Sequence, residues 1–330
     1  MIRWGIMGCG RIARKFAADL RYATDNELVA VGSRSRENAT AFAADFPVTH
    51  IHDSYEALAE NKHVDVIYVA TPHNLHFGNT LLCLNNNKAV LCEKPFAMNL
   101  AEAAMMIKVA REKKLFLMEA LWTKFLPHFI KTKEMVTSGE IGTIKSMLVN
   151  FGFRPVAPVP KRLFDPALGG GTIMDIGIYN IFMALSFLGK PDAIDAVMTP
   201  ADTGVDEQCA VLFRYANGSL AQLFSTFSSD LATEADICGE KGRIRLTSRF
   251  YEPSASIEFY PGKMDSKKEV SFDKEAGVGY QYEARHVAEC LKKGWTESPV
   301  MTHEDSLLLM ETLDKVRKIA GIKYAQDDKG

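Results

Sequence analysis

Three segments of this sequence carry groups suited to chemistry. The first is Gly8-Cys9-Gly10-Arg11-Ile12-Ala13. In this G-x-G-x-x-A pattern, Gly8 permits a tight turn and Gly10 has no Cβ to hold a pyrophosphate off the backbone. Ala13 keeps the following helix close to its sheet. The amides opening that helix, at Arg11 and Ile12, offer free N–H groups and a positive dipole end to an anion. The second is Cys92-Glu93-Lys94-Pro95-Phe96, where a lysine follows an apolar run and precedes a rigid proline. Lys94 there either points into a cleft or is an ordinary surface lysine. The third is Gly169-Gly170-Gly171-Thr172-Ile173-Met174-Asp175-Ile176-Gly177-Ile178-Tyr179. A helix from Thr172 would set Asp175 and Tyr179 at i and i+4, on one face. One would accept a hydrogen bond from a substrate hydroxyl and the other could transfer its proton. Alternatively, Asp175 caps the helix region and Tyr179 is a half-buried aromatic.

The elements that must hold these groups follow from hydrophobic period. Apolar runs at Ile2–Met7, Leu28–Val31, Val64–Ala70, Ala89–Cys92 and Leu115–Met118 alternate with helical stretches at Arg11–Tyr22, Arg36–Asp45, Leu75–Leu84 and Ala101–Lys113. Such alternation predicts βαβ units, hence an α/β Rossmann domain with a parallel sheet and helices on both faces. A helix is expected over Pro127–Ser138. Beyond it, strand-like runs follow one another without helices: Ile144–Phe151, Gln208–Tyr215, Ser219–Phe227, Ala235–Cys238, Arg243–Thr247, Ser256–Tyr260 and Glu269–Phe272. That succession predicts an α+β C-terminal domain with a large, mostly antiparallel open sheet. Helices at Tyr280–Lys292 and Glu304–Ala320 close the chain. The expected domains are 1–120, for the dinucleotide, and 121–330, for substrate binding and dimerisation.

In an open α/β sheet, ligands bind outside the carboxyl ends of the strands. The glycine pattern sits at the first such end and predicts a dinucleotide. The second strand ends in Gly32-Ser33-Arg34-Ser35-Arg36, with no carboxylate at Ser33 or Arg34 for a ribose 2′-hydroxyl. Arg34 with the serine hydroxyls suits a 2′-phosphate, so NADP is expected ahead of NAD. The strand ending at Ala70 places Thr71 and Pro72 at the same edge, with His76 either near the cofactor or structural.

The bulk numbers exclude other classes. The 330 residues suit two domains. A net charge of −2 gives no reason to expect nucleic acid or an anionic membrane as partner. No run approaches 18 apolar residues and no secretory signal is evident, so a cytoplasmic protein is expected. The six cysteines lack C-x-x-C spacing and read as reduced thiols. No His, Cys and carboxylate cluster suggests a metal.

Gly8-x-Gly10-x-x-Ala13, Glu93-Lys94-Pro95 and Gly169-Gly170-Gly171-x-x-x-Asp175-x-Gly177 together resemble the glucose-fructose oxidoreductase/inositol dehydrogenase family (Gfo/Idh/MocA). Met118-Glu119-Ala120-Leu121-Trp122-Thr123, Tyr179 where many relatives carry His, and Tyr282-Glu283-Ala284-Arg285-His286-Val287 through Glu297-Ser298-Pro299-Val300 look like its dimeric dihydrodiol dehydrogenase branch. The resemblance implies that Lys94 and Tyr179 form the catalytic pair, Asp175 helps orient substrate, and Glu93 and Lys94 border the cofactor. Trp122, Phe151 and Phe153 would then wall a ring or sugar face, with Arg154 and Arg162 as weaker candidates. The activity implied is NADP-dependent transfer of hydride between nicotinamide C4 and a sugar such as D-xylose or a cyclic diol. Reduction of a keto-sugar, as in anhydrofructose reductases, is an alternative, as is a non-catalytic dinucleotide-sensing regulator. A homodimer through the open face of the C-terminal sheet is also implied.

Overall fold

Short β-branched runs and intervening amphipathic stretches place six strands and their crossover helices at the start of the chain. They are β1 (Ile2–Met7), α1 (Arg11–Leu20), β2 (Asn26–Gly32), α2 (Arg36–Asp45), β3 (His50–His52), α3 (Tyr55–Ala59), β4 (Val66–Val69), α4 (His76–Asn85), β5 (Ala89–Glu93), α5 (Leu100–Lys113) and β6 (Leu117–Ala120). The computed structural model describes residues 1–262 and 266–327. The six strands form one parallel sheet in the order β3-β2-β1-β4-β5-β6. The order reverses beside β1, which makes the crevice at its carboxyl end the expected ligand position. Strands β4, β5 and β6 are buried throughout, as a sheet covered on both faces requires.

The chain divides into two units, Met1–Lys124 with Glu275–Leu307, and Phe125–Lys274 with Leu308–Gly330. The first therefore includes a late segment, α8 (Tyr280–Lys292). Its start is fixed by α1: the Asp19 carboxylate accepts the amides of Val278 and Tyr280 at 2.9 Å each. This carboxylate satisfies helix N–H groups that would otherwise lack partners. Phe16 stacks on Tyr68 with centroids 3.9 Å apart and meets the Tyr280 ring at 6.3 Å, so α8 closes the aromatic core of this unit.

The second unit holds α6 (Pro127–Thr137), β7 (Ile144–Gly152), α7 (Ile178–Leu188) and β8 to β14. These later strands are Ala193–Pro200, Asp206–Arg214, Leu220–Thr226, Ala235–Gly239, Gly242–Thr247, Ser256–Pro261 and Lys268–Val270. The eight strands order as β14-β13-β12-β11-β7-β10-β9-β8. Only β7 and β10 pair in parallel; the other pairs are antiparallel. Alternation along β7 and β10 buries Met147, Val149, Ala221 and Leu223. Residues 166–188, which include α7, are apolar enough to span a membrane by length and composition, with mean hydropathy 1.5, yet 78% of that window is buried in the protein. Helix α9 (His303–Ala320) begins in the first unit and ends in the second.

Candidate active site

At the end of β1 the backbone turns at Gly8, with φ +103°. A Cβ there would stand 2.7 Å from the Ala70 carbonyl oxygen, so only glycine lets β1 and β4 leave the sheet side by side. At Gly10 a Cβ would meet nothing within 4 Å. Gly10 is also the N-cap of α1, and no side chain caps the helix. Open space and uncapped amides at Arg11 and Ile12 fit a pyrophosphate. Ser33 is buried and its Oγ accepts the Ser35 amide at 3.2 Å. Arg34 is exposed beside Tyr55: burial pushes that phenol up, while the guanidinium pulls it back down. Tyr55 was not a sequence candidate, because it lies on α3 beyond the β2 turn.

Thr71 ends the β4 turn and its Oγ1 accepts from Asn79 Nδ2 at 3.0 Å. Pro72 follows, half-buried. The His76 ring is fully buried between two carbonyls, with Nδ1 2.8 Å from Pro95 O and Nε2 2.9 Å from Thr71 O. It ties the exit of β4 to the exit of β5, and both ring nitrogens are spent on protein backbone. This geometry supports the structural one of the two sequence readings of His76.

Glu93 is buried at the last position of β5. Its carboxylate accepts the Tyr68 hydroxyl and, at 3.2 Å, the Lys94 amide. It therefore lies at the root of the half-buried Lys94. One turn on, Glu119 Oε1 accepts the Phe96 amide at 3.1 Å, and burial pushes this carboxyl up to about 7. Two buried acids thus hold the main chain on either side of Lys94-Pro95. Trp122 stacks on Tyr280 with centroids 4.5 Å apart.

In the second unit, Gly171 has φ +111°, and a Cβ there would stand on the Asp206 carboxylate. That carboxylate accepts from Thr172 Oγ1 at 2.6 Å and from the Ile173 amide at 2.7 Å, and burial pushes it up to about 6. From this anchor Ile173–Gly177 winds as a π turn before α7 begins. Asp175 and Tyr179 are therefore not one regular α-turn apart, as their spacing predicted. Wide turns of this kind recur at functional sites. Arg162 Nη1 donates to Asp175 Oδ1 at 2.9 Å, which gives this candidate a definite partner. Phe151 lies 5.9 Å and Tyr251 5.1 Å from the Tyr179 ring, and Phe151 and Tyr251 stack at 4.3 Å. Phe153 meets Phe227 at 5.2 Å, and the Arg154 amide donates to Asp230 at 3.0 Å. Tyr251 carried no sequence signal, since it sits in the turn between β12 and β13.

Among the described residues, no group of three or more His, Cys, Asp or Glu is placed to hold a metal ion. Residues 2–121 match the oxidoreductase family with an NAD-binding Rossmann fold, and residues 129–245 match the GFO/IDH/MocA C-terminal domain. The chain belongs to the Gfo/Idh/MocA oxidoreductase family. It is 38% identical over 331 residues to a trans-1,2-dihydrobenzene-1,2-diol dehydrogenase of Xenopus laevis, covering 98% of this chain and 99% of that protein. The pig enzyme of the same name is 36% identical over 333 residues, 99% of each chain. A 3-ketoreductase from Actinomadura kijaniata, solved with NADP and TDP-benzene, is 28% identical, with a TM-score of 0.85 and coverage of 97% and 98%. This chain is an NAD(P)-dependent oxidoreductase of the Gfo/Idh/MocA family.

Proposed function

We propose that this Gfo/Idh/MocA member is an NADP-dependent dehydrogenase acting on a CH–OH group of a cyclic dihydrodiol or of a sugar such as D-xylose. The observation that carries the reading is the ring cluster of Phe151, Tyr179 and Tyr251. It sets a phenol among aromatic surfaces suited to a ring face, on a chain similar along its whole length to dihydrodiol dehydrogenases. Gly8, Gly10, Arg11 and Ile12 would hold the pyrophosphate, and Thr71 and Pro72 the adjoining part of the dinucleotide. Ser33 and Arg34 would hold the 2′-phosphate. The nicotinamide, when bound, supplies the hydride acceptor or donor.

Tyr179 takes the hydroxyl proton in oxidation and returns it in reduction. Tyr and Lys ordinarily titrate near pH 10, and a lysine ammonium brought beside a phenol favours phenolate, the part proposed for Lys94. Asp175, held by Arg162, orients the substrate hydroxyl. Trp122, Phe151 and Phe153 exclude water from its ring. Similarity to a 3-ketoreductase supports keto-sugar reduction, the same proton transfer run backwards, as the second reading. The test is turnover of NADP and NAD with trans-dihydrodiols, D-xylose and keto-sugars. Tight cofactor binding without turnover of any of them would replace the enzyme reading with a sensor.

The same reading includes a homodimer through the open face of the C-terminal sheet. By strand register, Leu148, Leu220, Gln222, Phe224, Ala210 and Val197 share the face opposite the buried Met147, Val149 and Leu223. Val197 is 66% exposed and Leu148 42% exposed. Sedimentation of the wild type against Leu148→Lys tests it: a monomeric wild type ends the dimer proposal.

A further inference from the structure

Behind the lysine strand lies a second acid that this chemistry does not use. Glu283, on α8, is fully buried, and neither of its carboxyl oxygens has a hydrogen-bond partner. Its electrostatic neighbour is Glu93, and both acids press on the Tyr68 phenol. The Tyr68 ring beside them stacks on Phe16, which in turn meets Tyr280. Among the described residues, titratable groups facing the pair include Tyr68 from β4, Cys92 from β5, Tyr280 from α8 and Glu119 from β6, the last facing Glu93, while Lys94 follows directly on Glu93.

Two carboxylates so buried repel each other and lack water, so they do not both ionise at neutral pH. Glu93 has two donors, the Tyr68 hydroxyl and the Lys94 amide. The negative charge therefore rests on Glu93 and the proton on Glu283. Burial first, and Glu93 second, hold the Glu283 carboxyl well above its ordinary range.

We propose that Glu283 is a positioning residue that carries the single proton of the two acids, so that one negative charge, on Glu93, stands at the root of Lys94. When that proton leaves at alkaline pH, a second charge forms and holds the Lys94 ammonium more tightly. The part played by Lys94 in turnover rests on the reading in the previous subsection; the charge behind it does not.

The test compares the full-length wild type with Glu283→Gln, which keeps the shape and cannot ionise. Limiting acetic anhydride modifies Lys94, and mass spectrometry reads the rate across neutral and alkaline pH. Near neutral pH the two proteins should react alike. At alkaline pH the variant should react about threefold faster or more, as a missing nearby charge implies. Equal rates throughout, or a difference already present at neutral pH, would overturn the proposal. Thermal stability reads the same proton without any reagent. A carboxyl whose pKa rises on folding stabilises fully below its unfolded value, about 4.3, and loses that contribution as pH rises. The melting temperature of Glu283→Gln relative to wild type should therefore climb with pH, and a falling gap would refute the proton on Glu283. Should the variant not fold, wild type carrying 13C-glutamate answers by NMR. One glutamate carboxyl should keep its proton at pH 8, where Glu119 has largely lost its own; complete ionisation there would contradict the inference.

Discussion

Replacing Gly171 with alanine should be among the most damaging single-methyl changes in the second unit. Two costs add. At φ +111° an L-residue is strained, at about 1–3 kcal/mol. The new methyl also evicts the Asp206 carboxylate from its bonds to Thr172 Oγ1 and the Ile173 amide. Leaving those buried partners unsatisfied costs roughly 1–3 kcal/mol for each. The sum is about 4 kcal/mol or more, and at about 2–4 °C per kcal/mol for a unit of this size the melting temperature falls by about 8–16 °C. Gly139→Ala is the control. It shares a positive φ, +83°, but a methyl there meets nothing within 4 Å, so only strain remains. Scanning calorimetry of both variants isolates the collision. Equal shifts for the two would refute the argument that Asp206 anchors the π turn through the space Gly171 leaves open.

Three further outcomes follow from the site. Lys94→Met should leave NADP affinity largely intact and suppress turnover at least about a hundredfold; an unchanged kcat removes the proposed pair. Arg34→Ala should weaken NADP more than NAD in fluorescence titrations, and equal losses reject the 2′-phosphate role. In wild type the Glu119 carboxyl, raised by burial to about 7, stabilises fully below about pH 4.5 and loses this contribution as pH rises through 7. Relative to wild type, Glu119→Gln should gain about 3 kcal/mol between those pH values; parallel pH–stability curves would show the carboxyl to be ionised throughout.

Much of the frame was legible because burial on both faces of the first sheet leaves unbroken apolar runs, as at β4 and β5. Strand β3 escaped because three residues, two of them histidines, carry no period. Strand β8 escaped because it is a sheet edge with every residue at least partly exposed. The glycines at 8 and 171 were readable, since a residue without Cβ is the local solution to close backbone approach. The π turn was not, because it depends on Asp206 reaching Thr172 and Ile173 across 34 and 33 residues. Tyr251 was silent, and Glu283 carried only a family resemblance, for the same reason: what gives each meaning is a neighbour distant in the chain.

The bond from the Asp19 carboxylate to the Val278 amide joins residues separated by 259 positions. During synthesis at about 5–20 residues per second, Asp19 would wait on the order of 10–50 s for that partner to emerge. The first unit to leave the ribosome thus stays incomplete until residues 125–274 of the second have followed it, and a chain cut short before residue 275 would expose the aromatic surface that α8 covers.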